Sequence, residues 1–164
     1  MKRARHRAKG RSSQMSRVIL LDAGPLGIVS NPRFSSQTLA CHQWVKEKLT
    51  SGAQVLIPEI ADYEVRRELL RANKMLSLAR LNRLKSALGY LPITTHVMLR
   101  AAELWAQARN MGKPTASDQA LDADMILAAQ AALLIADGDS VTVATTNVSH
   151  LSLFVPAAPW QDII

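Results

Sequence analysis

The chain has 164 residues, of which 48% are hydrophobic and only 4% aromatic. This length allows one hydrophobic core and is short for two ordinary domains. An aliphatic core favours a sheet packed between helices over a β-sandwich. The formal charge of +7 points towards nucleic acid, while a single cysteine, Cys41, excludes an internal disulfide and fits a reducing compartment.

The positive charge is concentrated at the N-terminus. Residues 1–17 hold seven of the 20 Lys and Arg residues and no acid, so the other 13 cations balance all 13 acids. We therefore expect 1–16 to be a basic, disordered tail attracted to phosphates, followed by a single domain over 17–164. The alternative is that residues 1–14 are an upstream extension, ahead of a true start at Met15.

The sequence predicts a protein that stays out of membranes. No apolar run approaches the roughly 18 residues needed to span a bilayer. The basic N-terminus leads into a short apolar segment without a small-residue cleavage site, which excludes a secretory signal. We expect a cytoplasmic location.

Hydrophobic spacing and turn residues predict strands that alternate with helices. A buried strand over 17–21 ends at Asp22 and is followed by turn-prone residues. Further strands are predicted at 55–57, 90–93 and 141–145. The predicted helices are 26–30, 36–51, 59–73, 75–88, 95–110 and 122–135, with a polar loop between the last two. This alternation predicts an α/β fold with a central parallel sheet flanked by helices, and ligand binding at the carboxyl ends of the strands.

Acidic residues are predicted to meet at that edge of the sheet. Asp22 ends the first strand. Glu64 lies one to two turns into the helix that follows the second strand, and Asp124 lies at the start of the helix that precedes the last strand. Thr145 and Asn147 follow the last strand. Carboxylates gathered in one place repel one another unless they are protonated or a cation neutralises them. Oxygen ligands without a His or Cys cluster favour Mg²⁺ or Mn²⁺ over Zn²⁺.

The segments that carry these residues resemble a known family. Residues 20–22, 61–67, 124–129 and 144–147 are similar, in order and spacing, to the four successive signatures of PIN-domain ribonucleases, in particular VapC-type toxins of type II toxin–antitoxin systems. The resemblance covers about 17–154. It implies a PIN-like three-layer fold and metal-dependent hydrolysis of RNA phosphodiesters. It further implies a cognate antitoxin protein as partner, and a homodimer.

The resemblance also implies roles for individual residues. Asp22, Glu64 and Asp124 would ligate the metal, Glu64 either directly or by orienting the attacking water. Thr145 and Asn147 would hold these ligands in place. The fourth signature commonly carries an aspartate where this chain has Asn147, which supplies no charge. We therefore expect one metal site without RNA, and a second ion only when substrate brings it.

Ordinary structural roles compete with these. Asp122 fits the N-cap of a helix beginning near residue 123, and the helix dipole alone would favour Asp124. Glu59 and Asp62 fit the first turn of their helix, and Glu68 fits a surface pair with Arg71 or Arg67. The four histidines show no ligand spacing, although His150 is close enough in sequence to the fourth signature to touch substrate.

The basic run from Arg66 to Lys85 leaves three interpretations open. It would guide RNA into the cleft, receive an acidic antitoxin segment, or form a solvated helical face. Two other functions also stay open. One is a PIN-fold module that binds RNA or protein without cleavage. The other is a receiver domain, disfavoured because its phosphoacceptor aspartate and its lysine are not evident.

Overall fold

A computed structural model describes residues 15–112 and 117–164. The predicted basic tail lies almost wholly outside the described residues. The strands are β1 (Arg17–Leu21), β2 (Gln54–Pro58), β3 (Gly89–Leu91), β4 (Ser140–Ala144) and β5 (Ala157–Ala158). The helices are α1 (Ala23–Ser30), α2 (Ser36–Thr50), α3 (Glu59–Arg71), α4 (Met75–Ala87), α5 (Thr95–Asn110), α6 (Asp118–Ala136) and α7 (Val148–Leu151), with a 3₁₀ turn at Trp160–Asp162.

The strands form one sheet in the order β3-β2-β1-β4-β5, and every neighbouring pair is parallel. The chain starts at the centre with β1, runs outward through β2 and β3, and then crosses to β4 on the other side of β1. The order of the strands therefore reverses between β1 and β4. In open parallel sheets, a crevice forms at the carboxyl ends of the strands at this point.

Helices cover both faces of the sheet, and β1 shows how. Its side chains alternate between the two faces, as in any strand. Ile19 and Leu21 belong to a core shared with α1, α2, α3 and α4, while Val18 and Leu20 belong to a second core shared with α5 and α6. The predicted three-layer architecture with a central parallel sheet is confirmed.

Helix α6 begins earlier than predicted. Ser117 is its N-cap and accepts a hydrogen bond from the Ala120 N–H at 3.3 Å. The interpretation of Asp122 as the N-cap is therefore wrong, because Asp122 lies inside the helix and is exposed. Ser117 and Asp122 are both good cap residues, and the earlier one is used here.

The same helix corrects the prediction about membrane-spanning length. Among the described helices, the stretch Gln119–Ala136 is long and apolar enough to cross a bilayer by length and composition. Core helices of soluble proteins pass this test as well. Helix α6 contributes Met125, Leu127 and Ala128 to the core that it shares with α5 and the sheet.

Candidate metal centre

Asp22 anchors the site at the end of β1. Its backbone is extended, and its Oδ1 accepts a hydrogen bond from the Ala23 N–H at 2.7 Å, so that it caps α1. Its Oδ2 accepts a hydrogen bond from Thr145 Oγ1 at 2.7 Å. Thr145 follows β4 and is fully buried. The carboxylate is therefore held between the ends of the two central strands.

Gly24 allows this close approach of α1 to the segment after β4. A Cβ atom at Gly24 would lie 3.2 Å from Thr146 Cγ2, which is tighter than ordinary contact. A larger residue would require the start of α1 or the Thr146 side chain to shift. In the sequence Gly24 is only a turn signal, because its spatial partner is distant along the chain.

Asp124 is positioned by the segment after β4. Its Oδ2 accepts a hydrogen bond from Asn147 Nδ2 at 2.8 Å and lies 3.5 Å from His150 Nδ1. The Asn147 backbone N–H donates in turn to Thr145 Oγ1 at 2.9 Å. Thr145 and Asn147 thus connect Asp22 and Asp124 through hydrogen bonds. In this arrangement Asn147 acts towards Asp124 as a donor.

The site involves His150 more closely than the sequence analysis suggested. His150 lies three positions after Asn147, on the single turn of α7, so both side chains can reach the same carboxylate. The three-residue spacing of Asn147 and His150 would indicate that they share a site, but only if a helical turn is known to follow β4.

Glu64 enters the site from α3 and is half-buried. Its competitors on the same helix have other partners. Glu59 accepts a hydrogen bond from the Ile93 N–H, and Asp62 accepts two from Arg66. Glu68 pairs with Arg71 on the surface, as predicted.

The pKa values of the three site acids are all raised. Burial raises the pKa of Asp22, and its hydrogen bonds from Thr145 and Ala23 offset only part of this. Burial, and then the negative charge of Asp22, raise the pKa values of both Glu64 and Asp124. Asp22 is thus near enough to both other carboxyls to disfavour their ionisation, while Arg67 partly offsets the effect on Glu64.

This donor set has the chemistry that a hard divalent cation requires. It consists of carboxylate oxygens from three separate segments, and a cation would stabilise their ionised forms against burial and against the repulsion that raises the pKa values of Glu64 and Asp124. Within residues 15–112 and 117–164, however, no three His, Cys, Asp or Glu side chains are grouped closely enough to hold an ion as they stand. The carboxylates of Asp22 and Asp124 are instead turned towards hydrogen-bond donors. The acidic side chains would therefore have to turn towards a metal as it binds.

The five predicted site residues lie at the switch point of the sheet: Asp22, Glu64, Asp124, Thr145 and Asn147. The three acids form one electrostatic group. Thr145 and Asn147 link Asp22 to Asp124 through hydrogen bonds. Their catalytic and metal-binding roles stay predictions.

Comparison with known proteins finds similarity in structure alone. No family model and no curated protein sequence matches the chain. Three similar solved structures are VapBC2 from Rickettsia felis bound to a promoter DNA fragment, VapBC-1 from nontypeable Haemophilus influenzae, and DNA-bound VapBC from Salmonella typhimurium.

The match extends over nearly the full length of the chains compared. The TM-scores are 0.65, 0.62 and 0.59, at sequence identities of 16%, 14% and 16%. The superpositions cover 87%, 88% and 89% of this chain and 98%, 99% and 99% of the other chains, in the same order. The predicted PIN-like architecture is confirmed, and the chain has the fold of a VapBC component.

Proposed function

We propose that this protein is a divalent-metal-dependent endoribonuclease and the toxin component of a toxin–antitoxin pair. One observation carries the proposal: three half-buried carboxyls, at the end of β1 and on α3 and α6, meet at the switch point of the sheet, where burial raises all three pKa values and the charge of Asp22 further raises those of Glu64 and Asp124. Among the described residues, no Lys or Arg forms an ion pair with any of them. Such an arrangement costs stability in the isolated chain, and binding a cation recovers it.

Asp22, Glu64 and Asp124 would hold Mg²⁺ or Mn²⁺. When bound, the ion supplies Lewis acidity, which activates water and offsets the negative charge that develops on the phosphate. Thr145 fixes the rotamer of Asp22, and Asn147 and His150 fix that of Asp124. Glu64 is free of such restraint among the described residues, which suits a group that binds the ion or orients the water.

The partners follow from the fold and from the exposed surface. Three solved structures with this fold contain VapBC proteins, which supports a cognate antitoxin as partner. The free thiol of the single cysteine, Cys41, is compatible with a cytoplasmic location. A homodimer is supported by exposed apolar side chains on α5, where Met98 is 47%, Leu99 63% and Trp105 37% exposed. Beside them, α5 and α6 enclose an apolar pocket of about 410 Å³.

The test is cleavage of a mixed pool of structured RNAs by purified, antitoxin-free protein, with Mg²⁺ or Mn²⁺ and then with chelator. The Asp22→Asn/Asp124→Asn double variant should lose cleavage by about three orders of magnitude, which corresponds to about 4 kcal/mol in activation free energy. The matched control is Asp122→Asn, an exposed acid on the same helix as Asp124. Equal cutting by both variants, or cutting that resists chelator, refutes the assignment.

A second candidate is a PIN-fold module that binds RNA or protein without cleaving it. It is favoured by Asn147 and by the absence, among the described residues, of a finished ligand cluster. Asn147→Asp discriminates between the two. In a nuclease the new carboxylate should tighten Mg²⁺ binding about tenfold, as measured by calorimetry, because one more negative charge faces the ion. Unchanged affinity, together with no cleavage by the wild type, favours the binding module.

A further inference from the structure

A groove leads away from the acidic site along α1. Its first part, of about 450 Å³, is lined by Gly24 and Gly27 of α1 and by Glu64 and Leu69 of α3. Its second part, of about 670 Å³, is lined by Gly27, Leu69 and the start of α4. Because both parts share Gly27 and Leu69, they adjoin, and together they extend from Glu64 to the start of α4.

Gly27, on the floor of this groove, is not explained by the fold. Its φ is outside the left-handed region, and a Cβ atom there would meet nothing within 4 Å. Gly24, one turn earlier, is needed for the contact with Thr146. Glycine in the interior of a helix is destabilising relative to alanine. A ligand that lies against a bare helix surface would account for Gly27.

Cations line both parts of the groove. Arg67 lies in the first part together with Glu64 and with Glu68, which pairs with Arg71. Arg33 and Lys74 line the second part, whose described lining residues include no acid. None of the three lining cations forms an ion pair within the part of the chain that the structure describes. Their placement along one groove suits an extended polyanion better than a single small anion.

Exposed aromatic rings accompany two of these cations. The Arg67 guanidinium lies 5.2 Å from the centroid of the Tyr63 ring, and Tyr63 is 56% exposed. Phe34 follows Arg33 in the chain and is 83% exposed. Cations that track a backbone, combined with aromatic rings on which bases stack, are typical of surfaces that bind single-stranded nucleic acid.

We propose that single-stranded RNA reaches the acidic site through this groove, with its phosphates at Arg33, Lys74 and Arg67 and its backbone against Gly27. The inference rests on the proposed ribonuclease function and specifies the path of its substrate. An acidic peptide is the other polyanion that this groove could hold. The exposed rings beside the cations favour RNA.

The test measures binding without cleavage. Fluorescence anisotropy of a labelled oligouridylate is recorded with the full-length protein in chelator, over a range of salt concentrations. Gly27→Gln fills the floor with a good helix former and should weaken binding about tenfold. Gly27→Ala controls for the backbone change and should bind RNA nearly as the wild type does. Both variants should unfold at or above the wild-type temperature.

A charge variant gives an independent readout. Arg33→Gln/Lys74→Gln should reduce the slope of log K against log salt by about 1.4, since each lost contact with a single-stranded phosphate contributes about 0.7. Lys46→Gln/Arg100→Gln removes the same charge from α2 and α5, outside the groove, and should leave the slope nearly unchanged. The basic N-terminal residues are common to all variants, so they cannot produce the difference.

Wild-type RNA binding by both Gly27→Gln and the Arg33/Lys74 variant overturns the proposal. It is also overturned if these variants weaken binding of a labelled Glu-rich peptide but not of the oligouridylate, which would assign the groove to a protein partner. Failure of the ribonuclease function looks different. In that case the wild type cleaves nothing, whereas the groove variants still bind RNA more weakly.

Discussion

Two of the acids on helix α3, Asp62 and Glu64, lie two positions apart and have different surroundings. Asp62 is 5% exposed, and the Arg66 guanidinium donates to its two oxygens at 2.9 and 3.0 Å. Glu64 is less buried than Asp62, but burial and the carboxyls of Asp22 and Asp124 raise its pKa, and the positive charge of Arg67 offsets only part of this. Positions i and i+2 of a helix face different sides, so one helix serves both environments.

The difference distinguishes an acid with a structural role from an acid of the proposed metal site. Arg66 also donates to Asn82 of α4 at 2.9 Å, so the Asp62 pair joins α3 to α4 and needs nothing from outside the chain. At the site, burial raises the pKa values of Asp22 and Asp124. Hydrogen bonds to both, and the imidazole of His150 near Asp124, offset only part of this rise. Burial and acidity alone therefore do not identify a metal ligand. The proposed site differs in that no Lys or Arg of the described residues forms an ion pair with its acids.

The largest expected effect is stabilisation by metal. If the site acids lack a counter-charge that an ion supplies, Mg²⁺ or Mn²⁺ at about 100 times its Kd should raise the free energy of unfolding by about 2.7 kcal/mol. Asp22→Asn/Asp124→Asn should abolish most of this gain, and Asp122→Asn/Asp137→Asn should keep it. Urea unfolding with and without the ion measures the difference. Equal gains in both double variants would place the ion elsewhere.

Breaking the ion pair between Asp62 and Arg66 should destabilise the fold without affecting the acidic site. Arg66→Met leaves the buried Asp62 carboxylate without its partner, and we expect a loss of about 2 kcal/mol, less than for a fully buried pair because Arg66 is partly exposed. RNA cleavage per folded molecule should stay at the wild-type level. Thermal and urea unfolding, followed by activity assays below the transition, measure both quantities.

Arg71→Met is the matched control for that experiment. Arg71 pairs with Glu68 on the same helix, but its side chain is 73% exposed, so its loss should cost less than about 1 kcal/mol. The double variant Asp62→Leu/Arg66→Met should recover part of the stability lost in Arg66→Met, because no charge stays buried. Equal losses in Arg66→Met and Arg71→Met would contradict a structural role for the Asp62 pair.

Much of this comparison was accessible from the sequence, but not all. A hydrophobic strand that ends in Asp22, and a last strand followed by Thr145 and Asn147, predict acids and polar groups at one edge of a parallel sheet. What the sequence could not decide depends on packing. Strand β5 has only two residues, too few for a hydrophobic pattern. Arg66 lies four positions after Asp62, as helical pairs do, yet only the structure shows that Asp62 is buried.

The smallest expected effect is a pH-dependent gain in stability when one site acid is removed. Burial raises the pKa of Asp22 above its unfolded value, so the folded chain binds this proton more tightly than the unfolded chain. The stabilisation is complete below the unfolded pKa of about 3.9 and is lost as the pH rises through the raised value in the folded chain. The Asp22→Asn variant cannot ionise at this position, so it does not lose this stability as the pH rises. It still caps α1, because asparagine is a good N-cap residue.

In chelator, the variant should therefore match the wild type near pH 4 and unfold roughly 2–4 °C higher at neutral pH, which corresponds to about 1 kcal/mol. Asp122→Asn, at an exposed position, should show no such divergence. A melting temperature that is equal or lower for Asp22→Asn at neutral pH would mean that Thr145 and the α1 N-terminus already stabilise the ionised carboxylate fully. Asp22 would then resemble Asp62, and the electrostatic case for a cation would rest on Glu64 and Asp124 alone.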